Sequence, residues 1–213
     1  FFAESPLPLH FPQFDKIKDS DFAPAFDAGM AQQLKEVEAI ANNKAKPTFD
    51  NTIIALEKSG DTLDRATTVF FSLVGADTND TRKKLQADYS AKFAAHSDAI
   101  ALNGKLFARI QALYDTRSQL GLDAEGVRLV EKYYDNYVRS GAKLSEADKA
   151  TLKTMNAELA NLGTKGVRTA RVVQERPDAP GFTLRLPAVN DALRPQLDAL
   201  RSAMAGKTLR NCA

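Results

Sequence analysis

The chain contains little that would hold a fold together covalently or give it a strong charge. Its 213 residues include no Trp and a single Cys, Cys212, so no disulfide can form within it. Lys and Arg number 29 and Asp and Glu 27, a balance that gives no field for a nucleic-acid partner. No apolar run reaches the length of a membrane span, so we expect no membrane partner either.

Several catalytic patterns are also missing. Gly163 and Gly166 complete no phosphate-binding fingerprint, and such loops need glycines at fixed spacing. Ser72 and Ser140 lie in no Gly-x-Ser-x-Gly elbow. Cys212 has no His near it in sequence, and a thiol without such a neighbour is interpreted as inert.

Histidine is too scarce to form an obvious zinc site. A zinc peptidase uses two His one helical turn apart, a third ligand and a Glu that activates water. This chain has only His10 and His96, and no His-Glu-x-x-His sequence. A composite site across space is one interpretation; the favoured one places His96 on a helix face and His10 in a proline-rich arm. We therefore assign no catalytic, cofactor-binding or metal-binding residue and expect no cofactor in this chain.

Three other groups of residues have the composition of possible sites. Asp77 and Asp80 suggest a cation loop, but the EF-hand spacing is absent and helix capping is the simpler explanation. Tyrosines on a predicted helix could line a peptide groove, although packing is favoured at that spacing; they are Tyr133, Tyr134 and Tyr137. A basic run is interpreted as solvated; it comprises Arg168, Arg171 and Arg176.

What the chain does contain is helical periodicity, with apolar residues three and four apart over residues 19–165. We predict an all-α, antiparallel multi-helix array with short connections in this domain. The predicted helices cover residues 20–42, 50–75, 80–102, 104–120, 123–140 and 145–162. Gly60 is expected to kink or break the second of them.

The helix starts are predicted from short polar side chains that can accept a hydrogen bond from a free amide. They are Ser20 or Asp21, Thr48, Asp123 and, with Asp148 as a capping box, Ser145.

Two segments flank the helical domain. Residues 1–18 combine three prolines with bulky apolar residues; we expect an extended, ordered arm whose apolar groups need burial. Residues 166–213 form a divergent tail with a short strand near 182–186 and a last helix at about 191–205. That helix carries an apolar stripe of Leu193, Leu197, Leu200 and Met204.

Particular stretches of sequence resemble a known family. They include Pro47–Gly60, Phe14–Ile17, Phe70–Leu73, Ala76–Asp80 and Glu131–Tyr134. In order and spacing they are similar to the N-terminal region of the M3 zinc oligopeptidases, and most similar to its bacterial peptidyl-dipeptidase branch. The resemblance runs from about Leu7 to Lys165; the tail is either a shortened connection to a later segment of the family or unrelated.

The resemblance implies a helical ellipsoid split by a deep channel, with zinc in the other half of the enzyme. This chain would form a channel wall, would be inactive alone, and would have the C-terminal catalytic half and short peptides as partners. The alternative is a non-enzymatic helical module that binds peptides or a protein.

Two further expectations follow. Because a wall facing another domain keeps apolar groups exposed, a patch is expected on the arm around Phe1, Phe2 and Phe11, or on one face of the later helices. Because the sequence opens on Phe1 rather than Met, we expect residues to have been removed before it, by signal-peptide cleavage or trimming. The compartment, cytoplasmic or periplasmic, stays open.

Overall fold

The computed structural model describes residues 1–166, with side chains through Thr164. Within that range the chain is helical and contains no strand, so the predicted all-α fold is confirmed there. The strand predicted near 182–186, the helix predicted at 191–205, Cys212 and the basic run of arginines lie outside the described residues. None of the helices in the described part is both long enough and apolar enough to cross a membrane.

The described part has seven helices, joined by short turns. They are α1 (Phe22–Ala41), α2 (a π-helical turn, Phe49–Ile54, continued by Ala55–Glu57), α3 (Asp61–Ala76), α4 (Asp80–Ala101), α5 (Gly104–Asp115), α6 (Ala124–Arg139) and α7 (Glu146–Gly166). Short 3-10 turns cover Pro8–His10, Asp19–Asp21 and Arg117–Gln119.

Two predicted helices end differently from expectation. The segment predicted as one helix over residues 50–75 is two helices, because Gly60 adopts a φ of +86° and ends the first of them. The expected break at Gly60 is thus confirmed. The helix predicted over 104–120 ends at Asp115 and is followed by the 3-10 turn and by Gly121, whose φ is +66°.

Most of the predicted caps are present. Thr48 Oγ1 accepts a hydrogen bond from the Asn51 amide at 3.1 Å, and Asp123 Oδ1 accepts one from the Gly126 amide at 2.7 Å. Ser145 Oγ accepts one from the amide of Asp148 at 3.2 Å. Each cap satisfies an amide that has no partner within its helix.

The cap predicted for α1 is wrong. The side chain of Asp21 turns backward and accepts a hydrogen bond from the Lys18 amide at 2.9 Å. No side chain caps the start of α1, because the carboxylate of Asp21 is already bonded to the Lys18 amide in the preceding 3-10 turn.

Two hydrophobic cores share α1. Its first half contributes to a phenylalanine-rich core with α3 and α4, where the rings of Phe22, Phe26 and Phe70 meet edge to face or stacked at 5.0 to 5.9 Å. Its last turns contribute Val37 and Ile40 to a second core, built with α2, α5 and α6. Leu34, whose spacing from Met30 and Val37 places it on the apolar stripe of α1, is instead 37% exposed.

Between the two cores, the middle of α1 presents polar side chains to the turn after α2. The Gly60 amide donates to Glu36 Oε2 at 2.8 Å, and Thr62 Oγ1 donates to Gln32 Oε1 at 3.1 Å. These bonds satisfy polar groups that the contact of α1 with α3 would otherwise leave without water. We call Gln32, Gln33 and Glu36 the polar belt.

The connection from α1 to α2 is held by a buried arginine on α5. Arg109 Nη1 donates to the carbonyls of Asn43 and Ala45 at 2.8 and 3.0 Å, and Nη2 donates to Asn51 Oδ1 at 2.7 Å. Burial lowers the pKa of the guanidinium. Asn51 Oδ1 also accepts from the Thr48 amide at 2.9 Å, so one amide side chain completes the cap and binds the arginine.

Close approach of α1 and α3 depends on Gly29. A Cβ at this position would lie 2.8 Å from the Leu63 Cα and 2.8 Å from its backbone nitrogen. Backbone atoms cannot move aside as a flexible side chain can, so only glycine allows the two helices to lie at this distance.

Substitution of Gly29 by Ala should therefore destabilise the chain by about 1–3 kcal/mol through overpacking. Gly75→Ala is the matched control, because a Cβ at that position of α3 meets nothing within 4 Å. It should stabilise the chain by about 0.5–1 kcal/mol through helix propensity. Urea unfolding followed by circular dichroism measures both, and equal effects of the same sign would contradict this account of the α1–α3 contact.

Candidate functional site

The two histidines lie in different environments. His10 is exposed in the arm, with Nδ1 3.1 Å from the Ser5 carbonyl oxygen and 3.8 Å from Glu4 Oε2. His96 is buried in α4, and its Nε2 lies 2.6 Å from Gln33 Oε1 of the polar belt. The favoured interpretation of both residues from the sequence agrees with these positions.

No group of three His, Cys, Asp or Glu side chains among residues 1–166 lies close enough together to hold a metal ion. The residues present in this part of the chain therefore do not fit a zinc ion. The expectation that the purified chain holds no stoichiometric zinc stays a prediction.

His96 is held neutral by its surroundings. A Gln33 Oε1 at 2.6 Å can only accept, so Nε2 carries the proton and Nδ1 is the unprotonated nitrogen. Nδ1 is buried and has no hydrogen-bond partner among the described residues. Burial lowers the pKa of His96 below its ordinary value of 6.5, since a charged ring would carry an unsatisfied N–H into the interior.

Asp77 and Asp80 take part in ion pairs with side chains of α4. Arg82 lies 3.7 Å from Asp77 and 2.7 Å from Asp19, and Lys83 lies 3.2 Å from Asp80. The cap of α4 is Asn79, whose Oδ1 accepts from the Arg82 amide at 2.8 Å. These carboxylates thus face cationic side chains, and a cation loop is not supported.

The hydrogen bonds around Asp19 also change its acidity. Asn79 Nδ2 donates to Asp19 Oδ2 at 2.7 Å. This bond, opposed by partial burial and assisted by Arg82, lowers the pKa of the Asp19 carboxyl. The pairing fastens the turn before α1 to the start of α4.

The three tyrosines of α6 pack against neighbouring side chains, as favoured from the sequence. Tyr137 is buried against Phe107, with ring centroids 6.5 Å apart. Tyr134 stacks on Tyr114 at 3.8 Å. The Tyr133 hydroxyl donates to Glu57 Oε1 at 2.8 Å; burial first, and this carboxylate second, raise its pKa.

The arm is where the described structure exposes apolar side chains most. Leu9 is 98% exposed and Phe11 60%, so the expectation that the arm's apolar groups are buried is wrong. Phe1 packs on Phe22 at 5.3 Å, and its carbonyl accepts from Arg65 Nε at 3.1 Å. Phe1 and Ile17 therefore anchor the arm on the phenylalanine-rich core. Phe2 and Phe11 stay exposed, in line with the apolar patch expected around them.

Under the arm lies a cavity of about 740 Å³. Apolar rings and prolines line it, together with five charged side chains, those of Glu4, Lys16, Asp21, Asp64 and Arg65. Its volume is in the range of small-molecule or peptide-side-chain pockets. The arm and this cavity are the candidate interaction surface of the described part.

Sequence reasoning missed two buried polar groups that organise the fold. Arg109 lies between the buried residues Leu106 and Ile110 of α5, but nothing in its spacing shows that it binds backbone carbonyls 60 or more residues away. The pairing of His96 with Gln33 is equally non-local. The burial of Arg109 could have been suspected from the sequence, since an Arg between buried positions of a helix needs hydrogen-bond acceptors.

Comparison with known proteins gives a clear relationship. The chain is 48% identical over 162 residues, 76% of its length, to the dipeptidyl carboxypeptidase of Escherichia coli strain K12. It is 48% identical over 159 residues, 75% of its length, to that of Salmonella typhimurium strain LT2. The chain spans about a quarter of the length of these relatives, 24% and 23%. No protein-family model matches the chain.

Acid should weaken the fold through His96. Because burial lowers its folded pKa below 6.5, the unfolded chain binds the proton more readily, and stability falls as the pH drops through about 6.5. His96→Gln keeps a donor for Gln33 and should flatten the loss of unfolding free energy between pH 7.5 and 5.5. His10→Gln, at an exposed histidine, is the control and should keep the wild-type slope; equal slopes in all three proteins would contradict the assignment.

Proposed function

We propose that this chain, which is related to the bacterial dipeptidyl carboxypeptidases over three quarters of its length, is the channel-wall portion of an M3-type zinc peptidyl-dipeptidase. In the intact enzyme it would lie at the N-terminal side and help to remove C-terminal dipeptides from short peptides. The observation that carries the proposal is the 48% identity to two proteins that bear the name dipeptidyl carboxypeptidase.

On this proposal, zinc chemistry and peptide positioning belong to different portions of the enzyme. A zinc ion in such an enzyme would polarise the scissile carbonyl and generate a nucleophilic water. The described residues hold no set of ligands for it, so the proposal places zinc chemistry outside this portion. What the portion supplies is shape: a rigid wall that admits short, extended peptides and excludes folded proteins.

Specific contacts between helices of the described part support that role. A wall that orients a peptide must keep its shape when the peptide binds, because a misplaced peptide bond is hydrolysed more slowly. Here α1 is fixed to α3 by the Gly29 contact and to the turn at Gly60 by Glu36. Arg109 fixes the connection between α1 and α2 from α5. The helices are thus joined by specific polar bonds as well as by the two cores.

The second candidate function is a non-enzymatic module that binds peptides or a protein. The exposed arm favours it, since Phe11 and Leu9 lie on the surface beside a cavity of about 740 Å³. On the first proposal the arm meets the catalytic portion; on the second it meets a separate partner.

The chain by itself should cleave no peptide. We expect purified chain, dialysed and then analysed for metals, to hold far less than one zinc per molecule. A quenched-fluorescence tetrapeptide should show no hydrolysis above background with or without added zinc, because binding energy alone does not accelerate the chemical step. Calorimetric titration with the same peptide should detect weak binding.

A chelator-treated sample and an intact dipeptidyl carboxypeptidase serve as the negative and positive controls. Cleavage that copurifies with the chain and is abolished by the chelator would contradict the division of labour. Tight peptide binding without turnover would favour the second candidate function.

A further inference from the structure

The cavity under the arm lies between two helices and the arm itself. Its floor is formed by α1 and α3, which contribute Pro24 and Val69. Both helices belong to the phenylalanine-rich core, and the Gly29 contact sets the distance between them. The arm closes the cavity from the other side with residues that include Phe1 and Ile17. These apolar groups favour a ligand with an apolar body.

Charged residues of both signs also line the cavity. The positive ones are Lys16 and Arg65, and the negative ones are Glu4, Asp21 and Asp64. Of these five, only Glu4 has an ion-pair partner within the described part of the chain, the histidine of the arm at 3.8 Å. The other charges do not neutralise one another, so they are available to a ligand that carries both signs.

Arg65 is the side chain of the cavity best suited to bind an anion. It is half-buried on α3, where Nε donates to the Phe1 carbonyl at 3.1 Å and Nη2 lies 3.5 Å from Thr62 Oγ1. Its Nη1 makes no hydrogen bond to any described residue. A guanidinium has five N–H donors in a fork that matches the two oxygens of a carboxylate. The two donors on Nη1 therefore remain for a ligand.

The other buried or half-buried arginines of the described part all have strong acceptors. Arg82 and Arg117 pair with carboxylates at 2.7 and 3.1 Å. Arg109 donates three hydrogen bonds to oxygen atoms. Arg65 has no carboxylate partner among the described residues and a single backbone acceptor within 3.1 Å. Since a partly buried guanidinium without acceptors is unfavourable, its position at the cavity points to an acceptor that a ligand supplies.

We propose that this cavity binds a short peptide with apolar side chains and both ends free, such as a dipeptide. Arg65, assisted by Lys16, binds the terminal carboxylate, and Asp64 binds the ammonium group. The apolar side chains of the peptide contact Ile17 and Pro24. A cavity of about 740 Å³ is in the range of sites that enclose a ligand of this size.

Recognition of both ends separates a free peptide from a segment of a partner protein. Such a segment carries neither a terminal carboxylate nor a terminal ammonium group, so Arg65 and Asp64 would stay unpaired against it. The inference does not rest on the proposed function, because the cavity would bind the peptide whether or not the chain forms a channel wall. A failure to bind would leave the proposed function standing.

The absence of Trp from the chain allows a direct test with the dipeptide leucyl-tryptophan, because selective excitation of its indole reports the ligand alone. We expect saturable binding to the full chain. The dissociation constant should rise about tenfold for the C-terminal amide, since a hydrogen bond to a charged group is lost. It should rise about threefold for the N-acetylated dipeptide, since Asp64 is more exposed. Equal affinity for the three forms, or no saturable binding, would overturn the proposal.

Variants assign the contacts. Arg65→Gln should weaken binding of the free dipeptide about tenfold and leave the affinity for the amide unchanged, which a merely loosened arm would not do. Lys16→Gln, which leaves the bond between Arg65 and the arm intact, should lower the preference for the free form about threefold. Arg117→Gln is the matched control, because this half-buried arginine lines no part of the cavity; it should bind both forms as the wild type does. Equal losses for both forms in Arg65→Gln, or an unchanged preference in Lys16→Gln, would overturn the proposal.

Discussion

Helix α1 is the element on which the described structure depends, because its two halves belong to different cores. Phe22 and Phe26 enter the phenylalanine-rich core with α3 and α4, and Val37 and Ile40 enter the core with α2, α5 and α6. A helix that serves two cores at once fixes their relative rotation. The Gly29 contact sets its distance from α3, and the remaining helices are placed by the cores that α1 joins.

Polar groups then give the array its register. Apolar packing alone tolerates sliding, whereas a buried hydrogen bond has one geometry and is costly to leave unmade. The Gly60 amide bound by Glu36, His96 bound by Gln33, and Arg109 bound to the connection before α2 are three such bonds. They join residues 24 to 66 positions apart, so they define the tertiary arrangement that a peptide-channel wall would need.

Much of this arrangement could be predicted from the sequence, and the failures have physical causes. Helical periodicity and capping residues such as Thr48 and Asp123 are local signals, and they located the helices well. The break at Gly60 was also expected, but its two-helix outcome depends on a positive φ fixed by the bond to Glu36. The exposure of Leu9 contradicts the burial expected for the arm, because burial depends on what lies opposite a side chain, which no local pattern encodes.

The central claim, that this chain is one wall of a peptidyl-dipeptidase, is tested most directly by complementation. A dipeptidyl carboxypeptidase of Escherichia coli lacking the segment that aligns with this chain would be mixed with the chain, and dipeptide release from a short peptide measured. The account predicts that the chain restores chelator-sensitive release, as the enzyme's own separated segment does. Restoration by the enzyme's own segment but none by this chain would contradict it.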